Sequence, residues 1–257
     1  MSKEESSKKT FVRNAKGVRE VLNMKFNTLA FEGAWHDAFG TPERRGVWLV
    51  WGNTGNGKTS FVMQLCKELC RFGRVAYDSL EEGACLTMQN TLKRYNMQDV
   101  NRRFLLLDAE PLDELSLRLK RQKAPDFIVI DSFQYTQMTY AQYIKFREQH
   151  RNKLLIFISH ASGRNPDGRS ARKVAFDASL KIYVEGYRAR CKRAPSTSKS
   201  WPNGCMCTRR ILKARNMKGD MPSIIRNSAV TTSSPMNCNA TTTPPKPGGT
   251  IRNDGKA

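Results

Sequence analysis

Short apolar runs alternate with amphipathic stretches through the middle of the chain. The runs lack strict alternation of apolar and polar positions, which is typical of strands buried on both faces of a parallel sheet. The stretches between them carry apolar residues at helical spacing. Strands are predicted at 47–51, 74–78, 104–107, 127–131, 154–159, 180–184 and 208–212, and helices at 58–72, 86–95, 113–122 and 139–149. The order predicts an α/β fold, with a mainly parallel twisted sheet and helices on both faces.

The two ends of the chain have different patterns. Residues 18–39 place apolar side chains at helical spacing, which predicts a helix that packs beside the following domain. We therefore divide off residues 1–44 as a polar N-terminus with a packing or docking helix. Beyond Asn227, Ser, Thr, Pro, Asn and Gly dominate, and such a composition cannot bury enough apolar surface to fold. Residues 228–257 are predicted to be a disordered tail, which leaves 45–227 as one domain.

The first predicted strand leads directly into a phosphate-binding loop. Residues 52–59 match the pattern G-x-x-x-x-G-K-[ST], and a predicted helix follows. Glycines let the backbone N–H groups turn inward on phosphates, the Lys reaches the β/γ oxygens, and the hydroxyl holds Mg²⁺. We expect nucleotide and Mg²⁺ to bind here, with Thr59 on the metal, through Gly52, Asn53, Thr54, Gly55, Asn56, Gly57, Lys58, Thr59 and Ser60.

Composition restricts the partners. The net charge of +21 favours a polyanion, with nucleic acid ahead of a membrane surface, and the excess lies mainly between Arg164 and Arg226. No apolar run approaches the roughly 18 residues of a membrane span, and the start lacks an apolar signal region. We expect a soluble cytoplasmic protein with no membrane partner. The odd number of cysteines, 7, predicts free thiols.

Hydrolysis needs a second metal-binding group, which is a carboxylate at the end of a strand. Asp131 follows the apolar run Phe127–Ile130, which is the Walker-B pattern, so we predict that it binds Mg²⁺ together with Thr59. Asp108 closes the run Phe104–Leu107 in a similar way and is the alternative.

The segment Val75–Glu82 resembles the second strand and following Ser-x-Glu of RecA-like ATPases, especially the ATPase domain of DnaB-type replicative helicases. The resemblance implies a RecA-like P-loop NTPase core with a C-terminal antiparallel strand pair, and ATP as the nucleotide. It implies that Glu81 activates the attacking water, with Glu82 as the alternative. His160, after the run Ile156–Ser159, takes the position of the Gln or His that senses the γ-phosphate.

The resemblance continues at Arg210–Asn216, which is similar to the last strand of the helicase fold. An i, i+2 spacing on a strand puts Lys213 and Arg215 on one face. In the family, such a pair reaches the nucleotide of the neighbouring subunit, and the arginine acts as a finger in trans. The implied assembly is a homo-oligomer, either a hexameric ring or a filament.

Between His160 and the next predicted strand, residues 163–173 are rich in Gly and basic residues, and they take the position of the family's second DNA loop. We expect a mobile loop whose cations contact DNA phosphates without sequence preference. The candidate contacts are Arg164, Arg169, Arg172 and Lys173. Residues 132–140 take the first-loop position, where aromatic side chains would either stack on bases or pack into the core.

These features predict an oligomeric, DNA-stimulated ATPase of replication or recombination, of phage or mobile-element type, that acts on single-stranded DNA. Helicase activity is not implied, because few residues precede the first strand. The alternative is a non-motor ATP switch that loads or regulates a replication protein.

Overall fold

One mixed sheet organises the fold. The computed structural model describes residues 15–193 and 210–213, and for 192, 193 and 210–213 it describes the backbone alone. The main strands are β1 (Gly46–Trp51), β2 (Val75–Ser79), β3 (Phe104–Asp108), β4 (Phe127–Asp131), β5 (Leu154–Ser159), β8 (Leu180–Glu185), β9 (Arg188–Arg193) and β10 (Arg210–Lys213). Two short strands, β6 (Ala161–Ser162) and β7 (Asn165–Pro166), pair as a separate hairpin.

The order of the eight strands is β10-β9-β8-β1-β5-β4-β2-β3. Six adjacent strands of this sheet run parallel: β8, β1, β5, β4, β2 and β3. The strands β9 and β10 add an antiparallel pair at one edge. The predicted α/β fold, with a mainly parallel sheet and a C-terminal antiparallel pair, is therefore confirmed.

Helices cover both faces of this sheet. The helices of the described residues are α1 (Val18–Leu22), α2 (Gly33–Phe39), α3 (Lys58–Leu69), α4 (Leu86–Arg94), α5 (Leu112–Leu119), α6 (Tyr140–Gln149) and α7 (Arg169–Asp177), with 3-10 turns at Met97–Val100 and Phe133–Thr136, and α2 to α7 cover the sheet. Alternate residues of β1 pack into two separate hydrophobic cores, one on each face of the sheet. Trp48 and Val50 pack with α2, α3 and α4, whereas Leu49 and Trp51 pack with α5, α6 and α7. Burying such side chains stabilises the fold by roughly 1.5–3 kcal/mol each.

The predicted single helix over residues 18–39 is only partly correct, because two shorter helices occupy the segment and α2 packs into the core. Helix α1 ends at Leu22, and α2 begins at Gly33. Between them, Leu29 and Phe31 are buried on either side of the exposed Ala30, which is strand-like alternation. Among the described residues nothing buries α1, since it contains no buried residue, so this part of the predicted packing is not observed there.

Strand β9 was not predicted. Its sequence, Arg-Ala-Arg-Cys-Lys-Arg, contains four basic residues and no apolar run. Its pairing with β8 shows that it belongs to the sheet. The expected disordered tail, 228–257, lies outside the described residues, as do residues 1–14. Within the described part of the chain, no helix has the length and apolar character that crossing a membrane requires.

Candidate active site

Four neighbouring strands bring the predicted site residues to one edge of the sheet. The strands β1, β5, β4 and β2 are adjacent and parallel, so their carboxyl ends meet at the same edge. The P-loop follows β1, His160 follows β5, Asp131 ends β4, and Glu81 lies two residues beyond β2. The register pairs Ser79 with Asp131, which places the ends of β2 and β4 side by side.

The P-loop has the backbone that phosphate binding requires. Gly55 (φ 75°) and Gly57 (φ 88°) adopt conformations that L side chains rarely adopt. A Cβ atom at Gly52 would lie 2.2 Å from the carbonyl oxygen of Val184, so the close approach of β8 excludes any side chain there. Lys58 begins α3, followed by Thr59 and Ser60 in its first turn, where the backbone N–H groups lack intrahelical acceptors.

The turn between β8 and β9 contacts the P-loop through hydrogen bonds and an aromatic ring. Asn56 accepts a hydrogen bond from Gly186 N at its Oδ1 (2.9 Å) and one from Tyr187 N at its carbonyl oxygen (3.2 Å). The Tyr187 ring also contacts Gly57, because a Cβ atom there would lie 2.7 Å from its Cδ1. This turn therefore holds the P-loop in shape. This contact could not be predicted, because the sequence of β9 carries no strand pattern.

Asp131 interacts electrostatically with the P-loop lysine and accepts a hydrogen bond from a buried tyrosine. The Tyr77 hydroxyl donates a hydrogen bond to Asp131 Oδ2. Burial raises the pKa of Asp131 to about 6, opposed by the Tyr77 hydrogen bond and by the charge of Lys58 and assisted by that of Glu81. Burial also lowers the pKa of Lys58, against the pull of Asp131 and Glu81. Lys58 Nζ donates to Asn53 O at 3.2 Å. One cation thus faces two carboxylates.

Glu81 and His160 form a direct pair. His160 Nε2 lies 3.2 Å from Glu81 Oε2 and 3.4 Å from Ser132 Oγ. The main chain of Glu81 is fixed, because its N–H donates to Asp131 O at 3.2 Å. Glu82 instead lies near the start of α4, with its Oε2 3.9 Å from Cys85 Sγ. The geometry therefore favours Glu81 over Glu82 as the group beside the sensor position.

Asp108, the alternative metal ligand, has a different role. It ends β3, the strand at the far edge of the sheet beyond β2. Its Oδ1 accepts a hydrogen bond from Ala84 N at 2.7 Å and lies close to Gly83. Asp108 thus fixes the loop that follows Glu81, whereas Asp131 faces Lys58.

The residues present fit a nucleoside triphosphate with Mg²⁺. The P-loop combines backbone that only glycine tolerates at Gly52 and Gly57 with a lysine and a hydroxyl. The raised pKa of Asp131 shows a desolvated carboxylate to which a divalent cation would supply the missing positive charge. Thr59 and Asp131 are the groups that would hold the metal. Among the described residues there is no cluster of three or more His, Cys, Asp or Glu for a separate metal site.

Asp131→Asn should raise the stability of the nucleotide-free protein while weakening Mg²⁺ binding. The substitution removes a desolvated charge but leaves an oxygen that accepts from Tyr77, so the free energy of unfolding should rise by about 1–2 kcal/mol. Apparent Mg²⁺ affinity in the presence of ATP should fall about tenfold or more. Urea unfolding and Mg²⁺ titration measure the two effects. Asp108→Asn is the matched control and should leave Mg²⁺ affinity unchanged. A weaker Mg²⁺ affinity in the control alone would reverse the assignment.

Asp78 gives the fold a pH dependence. This side chain is fully buried at the end of β2; its Oδ1 accepts from Glu110 N at 3.0 Å, and its Oδ2 has no partner within the described residues. Burial raises the pKa of Asp78 from 3.8 to about 6. Because the folded pKa lies above the unfolded one, this contribution to stability is present below pH 4 and is lost as the pH rises through 6.

The free energy of unfolding should therefore fall between pH 5 and 7.5, by about 1 kcal/mol from Asp78 alone. Asp131 adds a change in the same direction. Urea unfolding at both pH values tests this, and Asp78→Asn should remove about half of the difference. An unchanged pH dependence in the variant would contradict the burial argument.

The predicted mobile loop over residues 163–173 is only partly correct. Residues 161–166 form the β6–β7 hairpin, and α7 begins at Arg169, because Ala171 and Val174 bury one helical face. Arg169, Arg172 and Lys173 therefore lie on a helix. Arg172 Nε donates to Pro166 O at 3.2 Å, and Lys173 Nζ lies 5.3 Å from the centre of the Tyr140 ring.

Arg164 and Arg169 have exposed side chains beside this hairpin. The main chain of Arg164 is fixed, because Trp51 Nε1 donates to Arg164 O at 3.1 Å. In the first-loop position, Phe133 is buried and Tyr135 is 52% exposed. The basic segment 161–173 thus begins directly after His160.

The predicted trans finger is not covered by the structure. Lys213 is the last residue of β10 and pairs with Arg188 of β9, and its backbone alone is described. Arg215 lies outside the described residues. Their side-chain roles remain predictions.

Two site residues had no signal in the sequence. Tyr77 lies within an ordinary strand, and Gln134 lies in a polar turn after β4. Their contacts with Asp131 and with His160 follow from the order of strands in the sheet, which the sequence does not state.

The sheet order and the P-loop define the class: the chain has an α/β fold with a mainly parallel sheet, and a P-loop follows β1. Among solved structures, it is similar to the flagellar accessory protein FlaH from Methanocaldococcus jannaschii, at 13% identity and a TM-score of 0.49, over 65% of this chain and 87% of that one. It is also similar to the ATPase domain of G40P, at 15% identity and a TM-score of 0.43, over 58% of this chain and 76% of that one. No family model matches the sequence, and no curated protein matches it.

Proposed function

We propose that this chain is a Mg²⁺-dependent ATPase that acts on single-stranded DNA as an oligomer, with ATP hydrolysed at subunit interfaces. One observation supports the proposal. At the edge of the sheet where β1 leads into the P-loop lie four side chains: Lys58, Asp131, Glu81 and His160. Groups suited to phosphate binding, metal binding, proton transfer and γ-phosphate sensing therefore lie together within one chain.

Each group has a chemical part in hydrolysis. The P-loop backbone and Lys58 bind the β- and γ-phosphates and favour the charge that develops during transfer. Mg²⁺, when bound by Thr59 and Asp131, supplies further positive charge to the phosphate oxygens. Glu81 accepts the proton of the attacking water as the water oxygen bonds to the γ-phosphorus. The leaving ADP oxygen takes the bonding electrons, and His160 orients Glu81 through their 3.2 Å contact.

Charge and position support DNA as the polyanion. The chain has a net charge of +21, and Arg164 and Arg169 are exposed on the basic segment that follows His160. Phosphates bind such cations without regard to sequence. The oligomer is supported by the antiparallel edge, where Lys213 ends β10 and Arg215 follows two residues later. In this proposal they complete the ATP site of the neighbouring subunit.

ATP turnover and sedimentation should be measured together, with and without a single-stranded oligo-dT. DNA should raise turnover severalfold and shift the protein to a larger species. Arg169→Glu should weaken DNA binding about tenfold and lower the dependence of affinity on salt. Arg94→Glu, an equal charge reversal on α4 at the opposite face, is the control and should have little effect. If DNA changes neither the turnover nor the size of the protein species, action on DNA is refuted. The turnover measured without DNA then tests ATPase activity separately.

The exposed apolar residues before the sheet favour a second function, that of a non-motor ATP switch that loads or regulates a replication protein. Val18 (77% exposed), Leu22 (79%) and Phe26 (50%) lie outside both cores. Such side chains are typical of a docking surface. A partner captured in the presence of ATP by both wild type and Glu81→Gln would support the switch, whereas processive translocation would refute it.

A further inference from the structure

One amide side chain connects the candidate sensor with the basic segment. Gln134 lies in the 3-10 turn after β4 and is partly buried. Its Nε2 donates to Ser159 Oγ at 2.9 Å and to Asp167 O at 3.1 Å. Its Oε1 accepts from His160 N at 3.2 Å. A single side chain therefore contacts the end of β5, the main chain of His160 and Asp167, which lies two residues before α7.

These contacts continue at both ends. His160 Nε2 lies 3.2 Å from Glu81 Oε2, and the carbonyl of His160 accepts from Asp167 N at 2.9 Å. Asp167 is separated from Arg169, the first residue of α7, by Gly168 alone, and Gly168 has φ 84°. Hydrogen bonds thus connect the carboxylate of Glu81 with His160, and His160 and Gln134 with Asp167, two residues before the helix that carries Arg169.

We infer that Gln134 is a positioning residue that couples the nucleotide site to the basic segment. This inference rests on the proposed function, because it takes ATP as the ligand of the P-loop. If a γ-phosphate draws Glu81 or His160 from their mutual contact, the main chain of His160 shifts against the Gln134 amide. The same amide holds Asp167 O, so the shift reaches residues 161–173. Coupling between sites is reciprocal, so a ligand on that segment acts back on nucleotide binding.

If Gln134 has a purely structural role, a different effect of its removal is expected. An amide that only anchors the turn would, when removed, loosen residues 161–173 equally with and without nucleotide. A coupling amide would instead abolish the difference that nucleotide makes. The discriminating quantity is therefore the nucleotide-dependent change in local opening, not the opening itself.

Hydrogen exchange of peptides spanning 161–173 measures this difference. The full chain is compared without nucleotide and with Mg²⁺ and a non-hydrolysable ATP analogue. We expect the analogue to change exchange about fivefold or more in wild type and less than twofold in Gln134→Ala. Gln98→Ala, an exposed glutamine in the other 3-10 turn, is the control and should behave as wild type. A wild type without a nucleotide effect, or a Gln134→Ala variant that keeps it, would overturn the inference.

Two additions keep the result decisive. If Gln134→Ala does not fold, Gln134→Glu replaces it, because a carboxylate still accepts from His160 N but cannot make the two donor contacts. The Gln134→Glu variant should also lose the nucleotide effect on exchange. A Gln134→Glu variant that keeps this effect would overturn the inference. Binding of oligo-dT is measured with ADP and with the analogue. Failure of all forms to bind DNA would refute the DNA part of the proposed function, while the exchange data would still decide the coupling.

Discussion

Glu81→Gln should lower the turnover number for ATP hydrolysis by about 10²- to 10⁴-fold, the range that a positioned general base supplies. Glutamine has nearly the same shape but cannot accept the proton of the attacking water. Nucleotide affinity should stay within about threefold of wild type, because Lys58 and the P-loop are untouched. Steady-state turnover and binding of a fluorescent ATP analogue separate the two effects.

Glu82→Gln is the matched control for this experiment. Glu82 is the next residue along the chain, and its carboxylate lies beside Cys85 and not beside His160. It should therefore keep turnover close to wild type. If Glu82→Gln is the slow variant and Glu81→Gln is not, the base is wrongly assigned.

Lys58→Ala should abolish turnover, with a loss of about 10³-fold or more and a large loss of ATP affinity. The lysine contacts Asn53 O in the P-loop and is the cation that faces Asp131 and Glu81. Without it, two carboxylates stay near the triphosphate without compensation. Lys67→Ala lies on the same helix and is the control. That ammonium contacts Tyr95 O, Asn96 O and Asp99, so its loss should lower stability and leave turnover intact.

The Lys58→Ala variant also tests the shared site. Mixing it with Arg215→Ala should restore part of the activity, because an intact P-loop of one chain meets an intact arginine of the other. Each variant alone should be inactive in an oligomer. Mixtures that show no recovery would remove the support for a finger in trans.

The sequence predicted the parallel sheet and its edge of functional residues because their signals are local. Apolar runs identify buried strands, and the P-loop pattern specifies a backbone conformation that glycine alone adopts readily. The end of a strand also identifies the position of Asp131 and His160. These inferences need no knowledge of which strands are neighbours.

The remaining features depend on tertiary packing. The carboxylates of Asp108 and Asp131 follow similar runs, and only the order of β3, β2 and β4 separates a loop anchor from a metal ligand. The start of α7 was hidden because Gly168 offers no side-chain cap. Helix α1 differs from a packed helix only in what surrounds it. Its apolar residues have the right spacing, yet nothing among the described residues covers them.

The contact between the P-loop and the β8–β9 turn decides how far the chain can be shortened. A fragment that ends at Glu185 would keep every parallel strand and all of Gly52–Ser60. It would lose Gly186 and Tyr187, which contact Asn56 and Gly57. The smallest fragment that binds nucleotide therefore extends past the parallel sheet and includes the β8–β9 turn. Trimming to the region that the P-loop pattern suggests would remove the support on which the loop rests.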